Sequence, residues 1–245
     1  LACLAMKDVT VIDAWWALGM VVLAVSTYLQ TGGSPDRKLL LLGLCAARGL
    51  RLGGDLVWRW RTHGMDKRYK AILGHAQKHR GWGFAKASLL LVFATQAPLQ
   101  FIVSLPVQLG QMDAQPAALG VIAWVGAGMA VIGILFETIG DFQLVRFRGK
   151  PENSGRVLNT GLWRYTRHPN YFGDALTWWG IYLVAAETST GLWAIVGPIF
   201  LTFTLMKWSG APMLEARLRK TRPDYVAYIE QTSGFVPWPP RKQKV

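Results

Sequence analysis

Apolar runs of about 20 residues recur along this chain, and they restrict its fold more than any other feature does. A helix rising 1.5 Å per residue needs about 20 residues to cross ~30 Å of hydrocarbon. Such runs lie at about 9–29, 39–58, 84–109, 117–145, 171–187 and 191–209. Lipid offers no partner for backbone N–H and C=O groups, so each run must satisfy its own as a helix. The expected fold is therefore all-α, a polytopic transmembrane helical bundle of about six spans forming one domain over residues 1–245. No basic region precedes the first run and no small-residue cleavage site follows it, so it is expected to be retained. Pro98 and Pro106 each remove a backbone donor and should kink the third span.

The net charge is +13, and 22 of the 27 basic residues fall in three segments, 59–86, 146–170 and the tail from 206. The connections at 110–116 and 188–190 carry none. With six spans, the positive-inside rule puts all three segments, and both termini, on the cytoplasmic side. Arg37 and Lys38, in a short outer loop, go against it. Topology and contact with anionic lipid account for the charge, which excludes nucleic acid as the expected partner. Cys3 and Cys45 lack metal or disulfide spacing. His63, His75, His79 and His168 form no metal motif, and the His75–His79 pair has no carboxylate near it in sequence, so no metal is expected.

Ionisable residues inside a bilayer are costly and usually face a partner or a wet cavity. Asp13, Asp55, Asp141 and Asp174 each lie near a span end, and the topology above makes all four ends cytoplasmic. Glu137 sits one turn deeper than Asp141, and Arg148 continues that face. Arg48, Arg51 and Asp55 form a second stripe; Asp174, Trp178 and Tyr182 form a third. Pairing between helices or snorkelling would explain single members. The set as a whole points to a polar cavity open to the cytoplasm beneath an apolar chamber.

The richest segment runs from Asn159 to Asp174, NTGLWRYTRHPNYFGD. It sets Arg164, Arg167 and His168 just before an apolar span and Asn170, Tyr171 and Asp174 on its first turns. A helix N-terminus favours an anion, and arginines add bidentate contacts. The residues alone therefore indicate an anionic cofactor held at the inner face.

The stretch Gly161 to Gly173 resembles the C-terminal signature of membrane reductases and methyltransferases related to steroid 5-alpha-reductase. Further likeness lies in Glu137-Thr-Ile-Gly-Asp141, Phe147-Arg-Gly-Lys-Pro151, Met65-Asp-Lys-Arg-Tyr69, Ser209-Gly-Ala-Pro-Met-Leu-Glu215, Trp82-Gly-Phe-Ala-Lys86 and Ser104-Leu-Pro-Val107. Together these are similar to the bacterial DUF1295 branch, from about residue 10 to 240. The resemblance implies an integral protein of the bacterial inner membrane that holds NADPH. It implies that Asn170, Tyr171 and Asp174 contact the nicotinamide half, with His168 beside them. Glu137 and Asp141 would bind the ribose or carboxamide region, and Arg148, Arg156, Arg164 and Arg167 the phosphates. Asp66, Arg68 and Tyr69 would serve the adenosine end, Arg68 taking the 2′-phosphate.

The chain departs from the steroid reductases in lacking their Gln-Glu pair. It reads Asp13-Ala-Trp-Trp-Ala-Leu-Gly19 there, and Arg48-Gly49 where a Tyr is expected. The proton donor must differ, and a 3-oxo steroid substrate does not follow. The leading expectation is an NADPH-dependent reductase of a C=C bond conjugated to a carbonyl in a steroid-like or other lipid. Asp13, Arg48 and Arg51 are the candidate catalytic residues at the polar end. The alternative is an S-adenosylmethionine-dependent methyltransferase of the isoprenylcysteine or phospholipid type, suggested by Glu215, Tyr225 and Tyr228. Its cofactor has no phosphate, which leaves the arginines without a task.

Overall fold

A computed structural model describes residues 2–208 and 210–241 of the chain. Ser209, which begins one of the motifs above, and the tail lysines Lys242 and Lys244 lie outside the described residues. Among those described, helices dominate and no strand forms; a single bridge joins Thr166 and Ser233. The chain divides into two compact units.

The first unit comprises the chain up to Leu119 together with Ala185–Ala194. A short helix α1 (Ala2–Met6) leads to α2 (Val11–Gln30). The next helix, α3 (Pro35–His63), starts on a proline, whose missing N–H costs nothing in a first turn, and stops at Gly64 with φ 68°. It packs along α2 through glycines: a methyl group on Gly49 would lie 2.8 Å from the Ala17 carbonyl oxygen, and one on Gly53 2.7 Å from Leu18. Gly49, where the steroid reductases led us to expect a tyrosine, is thus needed for this approach. Helix α4 (Lys67–Arg80) is capped by the Asp66 side chain, which accepts the Arg68 N–H at 2.7 Å. Its apolar face, with Tyr69, Leu73 and Ala76, joins a core of Val9, Ile12, Ala87 and Val92.

The third apolar run is α5 (Phe84–Ser88), a π-turn at Leu89–Phe93, α6 (Ala94–Val103) and α7 (Leu105–Leu109). The helix continues through Pro98, with the π-turn just before it, and breaks at Ser104 ahead of Pro106. Two amides fasten this run to α2: Gln100 Nε2 donates to the Trp15 and Trp16 carbonyls, and Gln111 Nε2 to that of Ala24. Arg37 is fully buried in the first turn of α3, where it donates to the Pro116 and Ala118 carbonyls and pairs with Glu187 at 3.1 Å. Lys38 donates to the Thr31 carbonyl and sits over the Tyr28 ring. The two apparent exceptions to the charge rule are therefore consumed in holding the unit's loops.

The second unit comprises Gly120–Val184 and the chain from Ile195 onward. Here α8 (Val121–Arg148) buries Ala123, Gly126, Ala127, Ala130, Gly133, Glu137 and Gly140, a stripe of small residues broken by one acid. Against it lies α9 (Pro169–Ala185). The contact is backbone to backbone. A methyl group on Gly180 would lie 2.4 Å from the Ala130 nitrogen, and one on Gly173 2.5 Å from the Glu137 nitrogen. The chain ends in α10 (Val196–Phe203), a π-turn at Thr204–Trp208, α11 (Ala211–Thr221) and α12 (Tyr225–Gln231).

Among the described residues, four stretches are long and apolar enough to cross a membrane: Val11–Gln30, Phe84–Val103, Val121–Arg148 and Gly191–Thr221. This makes the chain a membrane protein by composition. Of the other two expected spans, α3 is long but interrupted by charge, and α9 has 17 residues.

Candidate functional site

The glycine contacts of the second unit fix the register of α8 against α9, and the register aligns their polar residues. Gly173 meets Glu137, and Gly140 meets Pro169 and the Asn170 nitrogen. Glu137 and Asp141 on one helix thus stand within about a turn of Asn170, Tyr171 and Asp174 on the other. Glu137 is 4% exposed, while Asp141, Asn170, Tyr171 and Asp174 are half-buried.

The arginines sit beyond this row. Arg148 ends α8, Arg156 lies in the following loop, and Arg164 ends a 3-10 turn at Gly161–Arg164; all three are exposed. That turn is docked on α8, because Leu162 N–H donates to Gln143 Oε1 at 3.0 Å and Trp163 Nε1 to the Gly140 carbonyl at 3.0 Å. Gly161 has φ 61°, and a side chain there would strike Gln143.

Arg167 and His168 are differently engaged. Arg167 Nε donates to Glu215 Oε1 at 2.9 Å, and its Nη1 donates to the Ile229 and Thr232 carbonyls. His168 Nε2 meets the same carboxylate oxygen at 2.9 Å and its ring stacks on Tyr171. Tyr228 donates to the Trp163 carbonyl, and Thr166 to that of Phe235. Burial pushes the Tyr225 and Tyr228 hydroxyls up, so both stay protonated donors. These contacts tie the signature loop to the tail. Beside them is an open hollow of about 520 Å³, with Arg167, Glu215, Arg219 and Phe235 in its wall.

In the first unit, Asp13 accepts from Tyr69 Oη at 2.5 Å and pairs with Arg68 at 3.0 Å. Arg68 also grips Asp66 at 3.1 Å, and Gln96 Nε2 donates to the Tyr69 hydroxyl at 3.3 Å. Burial pushes Asp66 up, but the Arg68 contacts outweigh it and hold the carboxyl below its usual range. Tyr69 is raised, first by burial and then by the charge and hydrogen bond of Asp13. Thr10 accepts the Asp66 N–H, and Asp8 accepts from Thr10 N–H and Trp60 Nε1, joining the start of α2 to α3 and α4. On α3, Arg48 is buried and Arg51 pairs with Asp55 at 3.5 Å.

The structure therefore brings together Asp13, Asp66, Arg68 and Tyr69, which sequence had split between a substrate end and an adenosine end. It sets Glu137 and Asp141 of α8 beside Asn170, Tyr171 and Asp174 of α9, whereas spacing spoke only for the residues within each helix. Gln96 and Gln143 were not singled out; an amide within or just beyond an apolar span was the available signal. The His75 and His79 rings lie 4.4 Å apart, tilted by 35°, and no group of three or more metal-ligating side chains occurs among the described residues.

The chain matches the family described as "Protein of unknown function (DUF1295)" over residues 2–232. It is 23% identical over 163 residues to an uncharacterized protein of Schizosaccharomyces pombe, a match covering 56% of this chain. The chain spans less than half of that relative, 45% of its length. No solved structure matches.

Proposed function

We propose that this chain, which belongs to the DUF1295 family, is an NADPH-dependent reductase of a C=C bond conjugated to a carbonyl in a steroid-like or other lipid substrate. The observation that supports this most is the register of α8 and α9. It aligns two acids with an amide, a phenol and a third acid, and leaves Arg148, Arg156 and Arg164 exposed beyond them. A dinucleotide phosphate needs that combination: acids and an amide for ribose and carboxamide, and guanidinium groups for phosphates.

When bound, the reduced nicotinamide supplies a hydride. In this chain Asp174, Asn170 and Tyr171 orient the nicotinamide half, Glu137 and Asp141 hold ribose hydroxyls, and the three exposed arginines neutralise phosphate. Arg167 and His168, taken up by Glu215, keep the signature loop in place. Arg68, still half-exposed despite its acids, takes the 2′-phosphate. Arg48 and Arg51 stabilise the enolate oxygen that forms as the β-carbon is reduced. Asp13, bonded to Tyr69, holds Arg68 for the 2′-phosphate, and a proton from water completes the reduction at the α-carbon.

The bundle has six spans, with termini and cofactor cavity on the cytoplasmic side of a bacterial inner membrane. Close packing supports the count: α3 runs against α2, and α9 against α8, so each charged or short helix accompanies one fit to cross.

The hollow beside Glu215 favours a second possibility, a membrane methyltransferase using S-adenosylmethionine. Equilibrium binding to the purified chain separates the two. NADPH should bind more tightly than NADH, and Arg68→Ala should narrow the gap by about tenfold, one charge-assisted contact. Binding of S-adenosylmethionine without NADPH would replace the reductase by the methyltransferase.

A further inference from the structure

A notch opens along one side of the α2–α3 pair. Its floor is Gly53 and Gly54, and its walls are Leu50, Val57 and Trp58 of α3 with Leu18 of α2. Arg61 closes one end, and the hollow measures about 420 Å³. Leu50, Gly54, Val57 and Arg61 recur at helical spacing, so the notch follows one face of α3 for about 16 Å. The two glycines differ. Gly53 is covered by Leu18, 2.7 Å from where a methyl group would stand, whereas a methyl group on Gly54 would meet nothing within 4 Å. Gly54 is thus the gap in an otherwise continuous apolar face. That face runs beside α2, a helix long and apolar enough to cross a membrane.

The ends of the notch are chemically unlike. Leu50 is apolar and 60% exposed. At the other end Trp58, also exposed, stands one turn from Arg61, with Arg59 adjacent and Lys67, Arg68 and Lys70 following. No acid occurs between Leu56 and Met65, and Asp55 is paired with Arg51. Arg68 is taken up by Asp13 and Asp66, which leaves Arg61 as the cation at the channel's mouth, and an apolar channel ending in an exposed tryptophan and an arginine matches a chain-bearing molecule with an anionic head. We propose that this notch binds one acyl chain of an anionic phospholipid from the surrounding bilayer, with the headgroup phosphate at Arg61.

The site is independent of the proposed reaction, and so is its test. The full chain in detergent is titrated with phosphatidylglycerol or phosphatidylcholine of the same chains, and bound lipid is counted by native mass spectrometry. Phosphatidylglycerol should bind first and about fivefold more tightly, the effect of one basic residue near a membrane surface. Gly54→Leu fills the notch and should weaken the first binding event for both lipids about tenfold, with the thermal midpoint unchanged because the position has room. Arg61→Gln should remove the preference for phosphatidylglycerol by weakening that lipid more than phosphatidylcholine, whose own choline cation already offsets the phosphate both lipids carry. Equal binding of the two lipids to the wild type, or a Gly54→Leu chain that binds its first lipid normally, overturns the site. A preference that survives Arg61→Gln overturns the placement of the headgroup.

Discussion

Both units bring two helices together over glycine, yet they do it differently. In α2–α3, the atoms facing Gly53 belong to a leucine side chain, and those nearest Gly49 are a valine methyl and one carbonyl. In α8–α9, Gly133 faces the Gly173 oxygen and Gly126 that of Gly180, while Gly173 and Gly180 face the Glu137 and Ala130 nitrogens. Side chains can turn aside; backbone cannot. The second pair therefore has one register, and its polar row is held to it. The first pair has room to adjust, which suits helices flanking an acid, two arginines and a lipid-sized notch.

The largest effect expected from this contrast is on stability. Gly180→Ala would press a methyl group into the α8 backbone and should cost about 3 kcal/mol, the upper end for overpacking. Gly53→Ala meets the end of Leu18 and should cost about 1 kcal/mol, the lower end. In thermal unfolding these correspond to shifts of roughly 6–12 °C and 2–4 °C. Equal shifts would erase the distinction between the two pairs.

The next effect tests a division of labour. Asp174→Ala, in the fixed pair, should weaken NADPH binding by about 10- to 100-fold, the cost of one charge-assisted contact. Arg48→Ala, in the adjustable pair, should leave NADPH affinity within about twofold while single-turnover reduction of an enone lipid falls about 100-fold, as when one donor to a developing oxyanion is removed. Normal turnover by Arg48→Ala, or wild-type affinity in Asp174→Ala, would show that the two pairs do not divide binding and chemistry in this way.

A smaller contrast lies between the ion-pair clusters. Arg167 and Glu215 expose only 14% and 12% of their side chains, and His168 shares the carboxylate. Arg68 and Asp13 expose 63% and 24%. Glu215→Gln should cost about 2 kcal/mol, because a half-desolvated guanidinium loses its charge partner. Asp13→Asn should cost about 0.5–1 kcal/mol, in the range for wet pairs. Denaturation midpoints of the two variants measure the difference.

Sequence foretold most of the helices because span length and polar interruptions are local properties. The 117–145 run became Val121–Arg148, and the 9–29 run became Val11–Gln30. It also put Glu137 on one face with Asp141, and Asn170 on one face with Asp174, since each pair is four apart on a helix, but spacing alone did not say that the two faces meet. It could not foretell partners. Arg167 looked as free as Arg164 until the tail folded back and gave it Glu215 and two carbonyls. Asp13 was assigned away from Arg68, 55 residues distant, because nothing local joins α2 to the start of α4. Arg37 looked like a stray charge for the same reason, its ligands being loop carbonyls and Glu187, 150 residues on.

The smallest expected effect tests a contact within the first unit that is made by a loop and no glycine. Asp113 accepts the Thr190 N–H at 2.8 Å, the Thr190 hydroxyl at 2.7 Å and the Ser189 hydroxyl at 3.1 Å, clasping the connection after α7 to the one after α9. These bonds need the carboxylate, and the Thr190 N–H first, then the hydroxyls, hold Asp113 below its usual range. The sign follows: a depressed folded value means that the clasp contributes fully above the unfolded value of about 3.9 and is lost as pH falls through the folded one. The residue is only partly buried, so screening keeps the contribution small. Thermal midpoints recorded between pH 6 and pH 3 should fall slightly more steeply for the wild type than for Asp113→Asn below about pH 4. Both chains carry the same remaining carboxylates, so only the difference between the curves reports on the clasp. Parallel curves would mean that the Asp113 carboxylate adds nothing measurable to the other contacts that hold these loops, among them the Ser34 hydroxyl on the Ala117 carbonyl and the Thr31 hydroxyl on that of Gln111.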